Sequence, residues 1–269
     1  MNPTSDQLFF TMQSIGVKIM RMRGSLRVTE KAGFRDIVTD ADHYSEQKLR
    51  EYVQAYYPGD GFNGEEGARG NSSSGYVWYF DPIDGTTNFA CGPDFFAISA
   101  RRAASDPAAE SSGEFGGVYF PVLGDYFFAK HGKGAMYRSQ NLHLPTKEFS
   151  KVVRSGTLRE SVMLLGLTDG HEALFGAFRG KCRNVLMLGS CVYEAMCVVN
   201  SKAGAYLHTG ATPYDIAAVE LIAREAGCVV GRPDGKPINL NDPKTPIVFA
   251  ANQGIFDEVR TLYIECTAG

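Results

Sequence analysis

The stretch WYFDPIDGTTNF, from Trp78 to Phe89, constrains this chain more than any other. The apolar and aromatic residues Tyr76–Phe80 predict a buried strand. Two acids, Asp81 and Asp84, follow at once with Pro82 and Ile83 between them. Proline fixes its own φ and removes a donor, which stiffens the link between the acids. Gly85, Thr86 and Thr87 then form a small-residue turn rich in N–H and hydroxyl donors. Carboxylates at a strand end suit a hard cation, and a glycine turn that opens a helix suits a phosphate. Two carboxylates this close repel each other unless a cation lies between them. One short step of chain therefore joins a cation site to an anion site.

With 269 residues the chain is long enough for a large core, as one big domain or two lobes. A net charge of −3 supplies no basic field for nucleic acid. No apolar run reaches the length of a membrane span. The start, MNPTSDQLFF, has no basic segment followed by an apolar one, so the expectation is a cytoplasmic protein without a signal peptide. The six cysteines (91, 182, 191, 197, 228 and 266) form no CxxC pair and are expected to be buried thiols, not disulfides or zinc ligands.

Periodicity predicts an amphipathic helix over 4–22, with Thr4 and Gln7 as a capping box and Leu8, Met12, Ile15 and Ile19 on one face. A second helix is expected from Thr39 to Tyr57, stopped by Pro58. Strands are expected at Tyr76–Asp81, Phe95–Arg102, Gly117–Phe120, Tyr126–Ala129 and Ala135–Tyr137, the last two joined by the turn HGKG. The stretch ASDPAAESSGEFG between the second and third reads as a solvated loop. The second half alternates strands (Val152–Ser155, Ile247–Ala250) with helices near 170–178, 190–201, 213–226 and 255–265. An antiparallel lobe, 1–147, is thus expected to precede a strand–helix lobe, 148–269. Thr212, Pro213 and Asp215 form a good helix start, and Gly227 a good stop.

Most acids read blandly when taken alone. Glu65 and Glu66 in GEEG suit a solvated turn. Asp215 in a first helical turn suits the helix dipole. Asp36, Asp40 and Asp42 lie in DIVTDAD, around the start of the second helix. His131 reads as exposed, Arg101, Arg102 and Arg183 as surface charges or dimer contacts, and Cys191 and Cys197 as core. Ser190 reads first as a helix N-cap.

Three segments together change that reading. GEE (Gly64–Glu66), DPIDGTTNF (Asp81–Phe89) and YDIAAVELIAREAG (Tyr214–Gly227) stand in the order and spacing of the inositol monophosphatase family, which this chain resembles over nearly its whole length. The resemblance implies the α+β, layered αβαβα sandwich of the inositol monophosphatase and fructose-bisphosphatase type. It implies a magnesium-dependent, lithium-sensitive phosphatase with two or three Mg²⁺. Glu66, Asp81 and the Ile83 carbonyl would hold the first ion, Asp81, Asp84 and Asp215 the second, and Glu65 or Glu66 a third. Gly85, Thr86 and Thr87 would grip the phosphate. Thr86, polarised by Asp42, would orient the attacking water beside Glu66, and Lys31 would sit on a mobile loop. Asp84, Gly189, Ser190, His208 and Asp215 would face the substrate.

The resemblance also implies a homodimer acting on a small phosphorylated polyol or sugar, with no nucleic-acid or membrane partner. Inositol 1-phosphate leads, with histidinol phosphate, fructose 1,6-bisphosphate and a broad range of sugar phosphates as rivals. A catalytically silent regulatory protein of the same fold is the non-enzyme rival. Two positions depart from the family pattern. His208 stands where an acid is common, and Tyr214 where tryptophan is common.

Overall fold

The computed structural model describes residues 3–106, 113–139, 147–149 and 156–267. Two amphipathic helices open the fold, α1 (Pro3–Met22) and α2 (Asp40–Tyr56). The predicted stripe Leu8, Met12, Ile15 and Ile19 is buried throughout, as burying one apolar helix face requires. α1 already begins at Pro3, so Thr4 lies inside the first turn and not at the N-cap position. α2 is capped by Thr39, in a box whose acidic member is Asp42.

Between the two helices lies a hairpin, β1 (Val28–Gly33) and β2 (Asp36–Thr39). Every residue of β1 is exposed. An exposed strand needs no apolar alternation, which is why the sequence carried no strand signal there.

The large sheet contains β3 (Gly61–Gly64), β4 (Arg69–Gly70), β5 (Tyr76–Asp84), β6 (Ala97–Ala104), β7 (Phe115–Phe120), β8 (Asp125–Lys130), β9 (Ala135–Ser139) and β10 (Lys147–Phe149). Its order is β10-β9-β8-β7-β6-β5-β3-β4, antiparallel except for the pair β3 and β5. The expected meander is present, and the expected lobe boundary at 147/148 falls within β10. The predicted strand Val152–Ser155 lies outside the described residues.

The second sheet holds β11 (Val162–Gly166), β12 (Asn184–Leu186), β13 (Ala205–Ala211), β14 (Val229–Gly231) and β15 (Thr245–Ala250), in the order β12-β11-β13-β15-β14. Its helices are α4 (Ala173–Arg179), α5 (Cys191–Val199), α6 (Pro213–Glu225) and α7 (Gln253–Thr267). α3 (Thr86–Cys91) is the short helix after the acid motif.

The layers follow from which faces are apolar. α1 and α2 cover one side of the large sheet, and α6 packs on the other against β5, β6, β7 and β8. α5 lies beside α6 and reaches β13, while α7 and α4 close the far side of the second sheet. The arrangement is αβαβα. One apolar cluster runs from Val118 and Phe127 of the large sheet through Val192 and Val219 to Phe249. The two lobes therefore share a core and bury it together.

Two expectations for side chains need correction. Cys91 and Cys266 are exposed, so only part of the cysteine set is buried. Arg101 is no surface charge. It bonds Glu114 Oε2 and Glu220 Oε2, each at 2.5 Å, and the Ala217 carbonyl at 2.9 Å. Arg102 likewise pairs with buried Asp60. Glu114 closes the stretch expected to be a solvated loop, yet it is buried because Arg101 needs a counter-charge.

Arg101→Met should therefore destabilise the fold by about 3–5 kcal/mol, because it strands two buried carboxylates. Denaturant unfolding at neutral pH checks this, and a loss under about 1 kcal/mol would show the triad to be well hydrated.

Candidate active site

Asp81 and Asp84 are three residues apart, and in a regular strand they would point to opposite faces. The pairing of β5 with β6 shows why they do not. Asp81 lies opposite Ser99 and Asp84 opposite Ala97, so β5 carries one extra residue in a bulge. Ser45 Oγ ties the bulge to α2 by donating to the Pro82 carbonyl at 2.8 Å. Gly85 then turns the chain with φ 83°, and a Cβ there would lie 2.8 Å from the Phe95 carbonyl oxygen. Only glycine fits that turn.

The third acid arrives from the other lobe. Asp215 stands in the first turn of α6, where Oδ2 accepts the Thr212 N–H at 2.7 Å. Asp81, Asp84 and Asp215 each place one carboxylate oxygen within 4.8 Å of the others. Asp84 is also held by the start of α5. Ser190 Oγ donates to its Oδ2, and Val192 N–H reaches the same oxygen at 3.2 Å. Ser190 is the N-cap, accepting Tyr193 N–H at 3.1 Å. The N-cap reading of Ser190 holds, and its hydroxyl proton is given to Asp84. Gly189 and Ser190 also come against Gly85, so α5 borders the phosphate turn.

The GEEG loop is shaped by a residue that sequence reasoning missed. Buried Glu46 of α2 accepts Glu66 N–H and Ala68 N–H, each at 2.8 Å. A Cβ at Gly64 would strike Glu46, so the loop needs glycine there. The only sequence hint was an acid on the apolar side of α2. Glu65 lies near enough to Asp81 for the two carboxyls to affect each other's protonation, an arrangement a cation would relieve. Glu66 lies instead toward Asp42 and accepts from Lys31 Nζ at 2.9 Å, and Glu65 accepts from the same Nζ at 3.2 Å. Lys31 thus reaches the acids from the β1–β2 hairpin, as expected.

Thr86 and Asp42 meet as expected. Thr86 Oγ1 lies 3.1 Å from Asp42 Oδ1 and 3.0 Å from the Ile83 carbonyl oxygen. Asp42 is fully buried, and its Oδ2 accepts the Thr39 N–H at 2.9 Å and the Thr39 hydroxyl at 2.6 Å. Thr87 is exposed. His208 sits in the middle of β13, half-buried and within electrostatic reach of Asp215.

The electrostatics record the crowding. Burial pushes the Asp84 carboxyl up to about 7, aided by Asp215 and opposed by the α5 donors. Burial and then Glu65, Asp84 and Asp215 push Asp81 well above the carboxylate range. Burial lifts Glu65 to about 7 against the pull of Lys31. Burial raises Asp42 to about 6, with the Thr39 bonds opposing. Lys31 is pulled down by burial, but Glu65 and Glu66 outweigh that and hold it above its ordinary range.

This donor set fits a hard divalent cation. Every group is a carboxylate or carbonyl oxygen, which suits Mg²⁺ and disfavours zinc. Asp81 Oδ1 is buried with no hydrogen-bond partner among the described residues. Such an atom costs about 1–3 kcal/mol or more unless something binds it.

Comparisons with known proteins identify the family. The profile described as "Inositol monophosphatase family" matches residues 9–265. "Phosphatase IMPL1, chloroplastic" of Arabidopsis thaliana is 34% identical over 219 residues, 78% of this chain and 57% of that protein. The chain thus spans a little over half the length of that relative. "Inositol monophosphatase 1" of Homo sapiens is 30% identical over 245 residues, covering 88% of this chain and 84% of that one. The solved structure of an IMPase from Thermotoga maritima superposes with a TM-score of 0.82 at 26% identity, over 98% of this chain and 97% of that one. A buried acid cluster at the junction of two sheets, on this layered αβαβα scaffold, is the class of protein the structure defines. The chain belongs to the inositol monophosphatase family.

The raised carboxyl values predict a pH effect of definite sign. Asp84, Glu65 and Asp42 titrate near 4 when unfolded but near 6 to 7 when folded. The folded state therefore binds more protons in that window. Their stabilising contribution is complete below about pH 4 and is lost as pH rises through about 7. In chelator, the melting temperature should fall between about pH 5 and 8, and added Mg²⁺ should raise it more at pH 8. A Mg²⁺ effect equal at both pH values would contradict the assignment.

Proposed function

We propose that this chain hydrolyses a small phosphate monoester of a polyol or sugar by direct attack of water, with two or three Mg²⁺ bound. Inositol 1-phosphate is the reference substrate, and histidinol phosphate and sugar phosphates are its rivals. The observation that carries the reading is the convergence of Asp81, Asp84 and Asp215 beside the Thr86–Asp42 pair.

Asp81, Asp84, Asp215, Glu65, Glu66 and the Ile83 carbonyl would hold the ions. The Glu65–Asp81 proximity favours Glu65 for the place beside Asp81, with Glu66 nearer Asp42. Bound there, Mg²⁺ neutralises the phosphate dianion, lowers the pKa of water and stabilises the leaving alkoxide. The chain itself does the positioning. Thr86 has one hydroxyl proton, which it gives to Asp42 or to Ile83, and so keeps lone pairs for a water proton. Asp42, held from below by Thr39, fixes that direction. The Gly85 and Thr86 N–H groups would grip the phosphate, with exposed Thr87 at the solvent edge. Ser190 keeps Asp84 in place through Oδ2.

No protein nucleophile is needed. Burial pushes the Cys191 thiol well above its usual range, which leaves it unreactive. Phosphate should therefore be released without a phosphoenzyme, and trapped phosphate on Asp81 or Asp84 would contradict this.

Phosphate release with and without Mg²⁺ on inositol 1-phosphate, histidinol phosphate and fructose 1,6-bisphosphate tests the reading. Asp84→Asn should abolish turnover while its metal-free melting temperature does not fall, because one of three crowded charges is gone. Thr86→Ala should lower kcat by roughly 10²-fold or more with the fold intact. Mg²⁺ binding without turnover of any ester would favour the silent regulatory protein.

A further inference from the structure

The alcohol side of the site is built unlike its acidic side. His208 of β13 pairs in parallel register with Gly166 of β11. The imidazole uses the room that glycine leaves, since a Cβ on Gly166 would lie 2.1 Å from His208 Cδ2 and 2.9 Å from Nε2. Nδ1 lies 3.1 Å from the Gly210 N–H. A backbone amide has only a proton to offer, so Nδ1 must accept and the neutral ring carries its hydrogen on Nε2. Burial favours that neutral form, with Lys244 acting the same way and Asp215 against it. Among the described residues nothing accepts from Nε2. His208 therefore offers a hydrogen-bond donor.

Its neighbours leave little acceptor capacity free. Thr209 Oγ1 accepts Thr168 N–H at 2.8 Å and pairs with Thr168 Oγ1 at 2.9 Å. Thr168 Oγ1 lies 3.2 Å from His171 Nδ1. Asp169 is paired with Arg35 of the hairpin at 3.1 Å. Asp215 is turned to the acid cluster and to Thr212 N–H. Lys244, exposed, flanks the strand end, its Cδ 3.8 Å from where a Cβ on Gly210 would stand. The free charge on this side is positive.

We propose that His208, backed by Lys244, selects phosphate monoesters that carry a second anionic group, phosphate or carboxylate, on the alcohol to be released. The inference rests on the phosphatase reading and narrows it. A neutral polyol gains one ordinary bond from Nε2. An anion gains a charge-assisted bond and the field of Lys244. An acid at position 208 would do the reverse, accepting from hydroxyls and repelling the anion.

Fructose 1,6-bisphosphate and fructose 1-phosphate differ only in the second phosphate. 3-Phosphoglycerate and glycerol 3-phosphate differ in the carboxylate. Phosphate release from both pairs, with Mg²⁺, reads the selectivity and tells which anion is recognised. Wild-type kcat/KM should favour the member with the second anionic group in at least one pair by roughly tenfold or more. His208→Gln, whose amide still donates, should keep most of that preference. His208→Glu should lose or reverse it, and Lys244→Ala should weaken it, with melting temperatures near wild type. No preference in the wild type for either pair, or an unchanged preference in a folded His208→Glu, would overturn the proposal. If the wild type releases phosphate from none of these esters nor from inositol 1-phosphate, the phosphatase reading itself fails, and the selectivity falls with it.

Discussion

The structure depends on holding mutually repelling carboxylates together in a buried place. Asp81 and Asp84 are almost fully buried, and each carries the cost of desolvation as well as of its neighbours. A single hydrophobic alternative would be more stable. The fold tolerates the cluster because donors are spent on its outer edges. The α5 start serves Asp84, Thr212 N–H serves Asp215, and Lys31 serves Glu65 and Glu66. Inner oxygens such as Asp81 Oδ1 are left without a donor. That division is what a cation site requires, since an oxygen already saturated by N–H groups is a poor ligand.

The same demand explains why the lobes are not separable. Asp81 and Asp84 come from the large sheet, Asp215 from α6, and the clamp on Asp84 from α5. α6 lies between the sheets, so Asp215 is placed by packing on both sides of its helix. The Arg101–Glu114–Glu220 triad ties the middle of α6 to β6 and to the residue before β7. A carboxylate placed by the N-terminus of a rigid, doubly packed helix moves little, which suits a site whose charges must stay in close register.

Much of this was legible in the sequence, for reasons that differ by element. α1, α2, α5, α6 and α7 carry strong apolar stripes or good caps, and all were found near their true bounds. The acid motif was legible because strand, acids and glycine turn sit in one continuous segment. The β5 bulge was not, because an extra residue shows only in the register against β6. The short strands β11, buried at its centre, and β12, exposed at both ends, gave no usable period, nor did the exposed strand β1 of the hairpin. Glu46 and the Arg101 triad were missed because a charge on a helix or strand usually faces water, and its burial depends on partners far along the chain. Separating Glu65 from Glu66 needed coordinates too, since adjacent residues in a turn give no sign of which faces Asp81.

Lys31 shows how the site can be assembled from weak parts. Its ammonium is a single positive charge on a flexible stem, facing several acids. It offsets part of their repulsion but cannot supply the oxygen-centred coordination that Asp81, Asp84 and Asp215 offer. The first strand of the hairpin, which carries it, is exposed, and a further ion pair, Arg35 to Asp169, joins two exposed side chains. Exposed pairs of that kind contribute about 0–1 kcal/mol each. The hairpin is anchored more firmly through its second strand, where Val38 and Thr39 are buried and Thr39 caps α2. A cation bound among the acids would compete with the Lys31 ammonium for the carboxylates of Glu65 and Glu66.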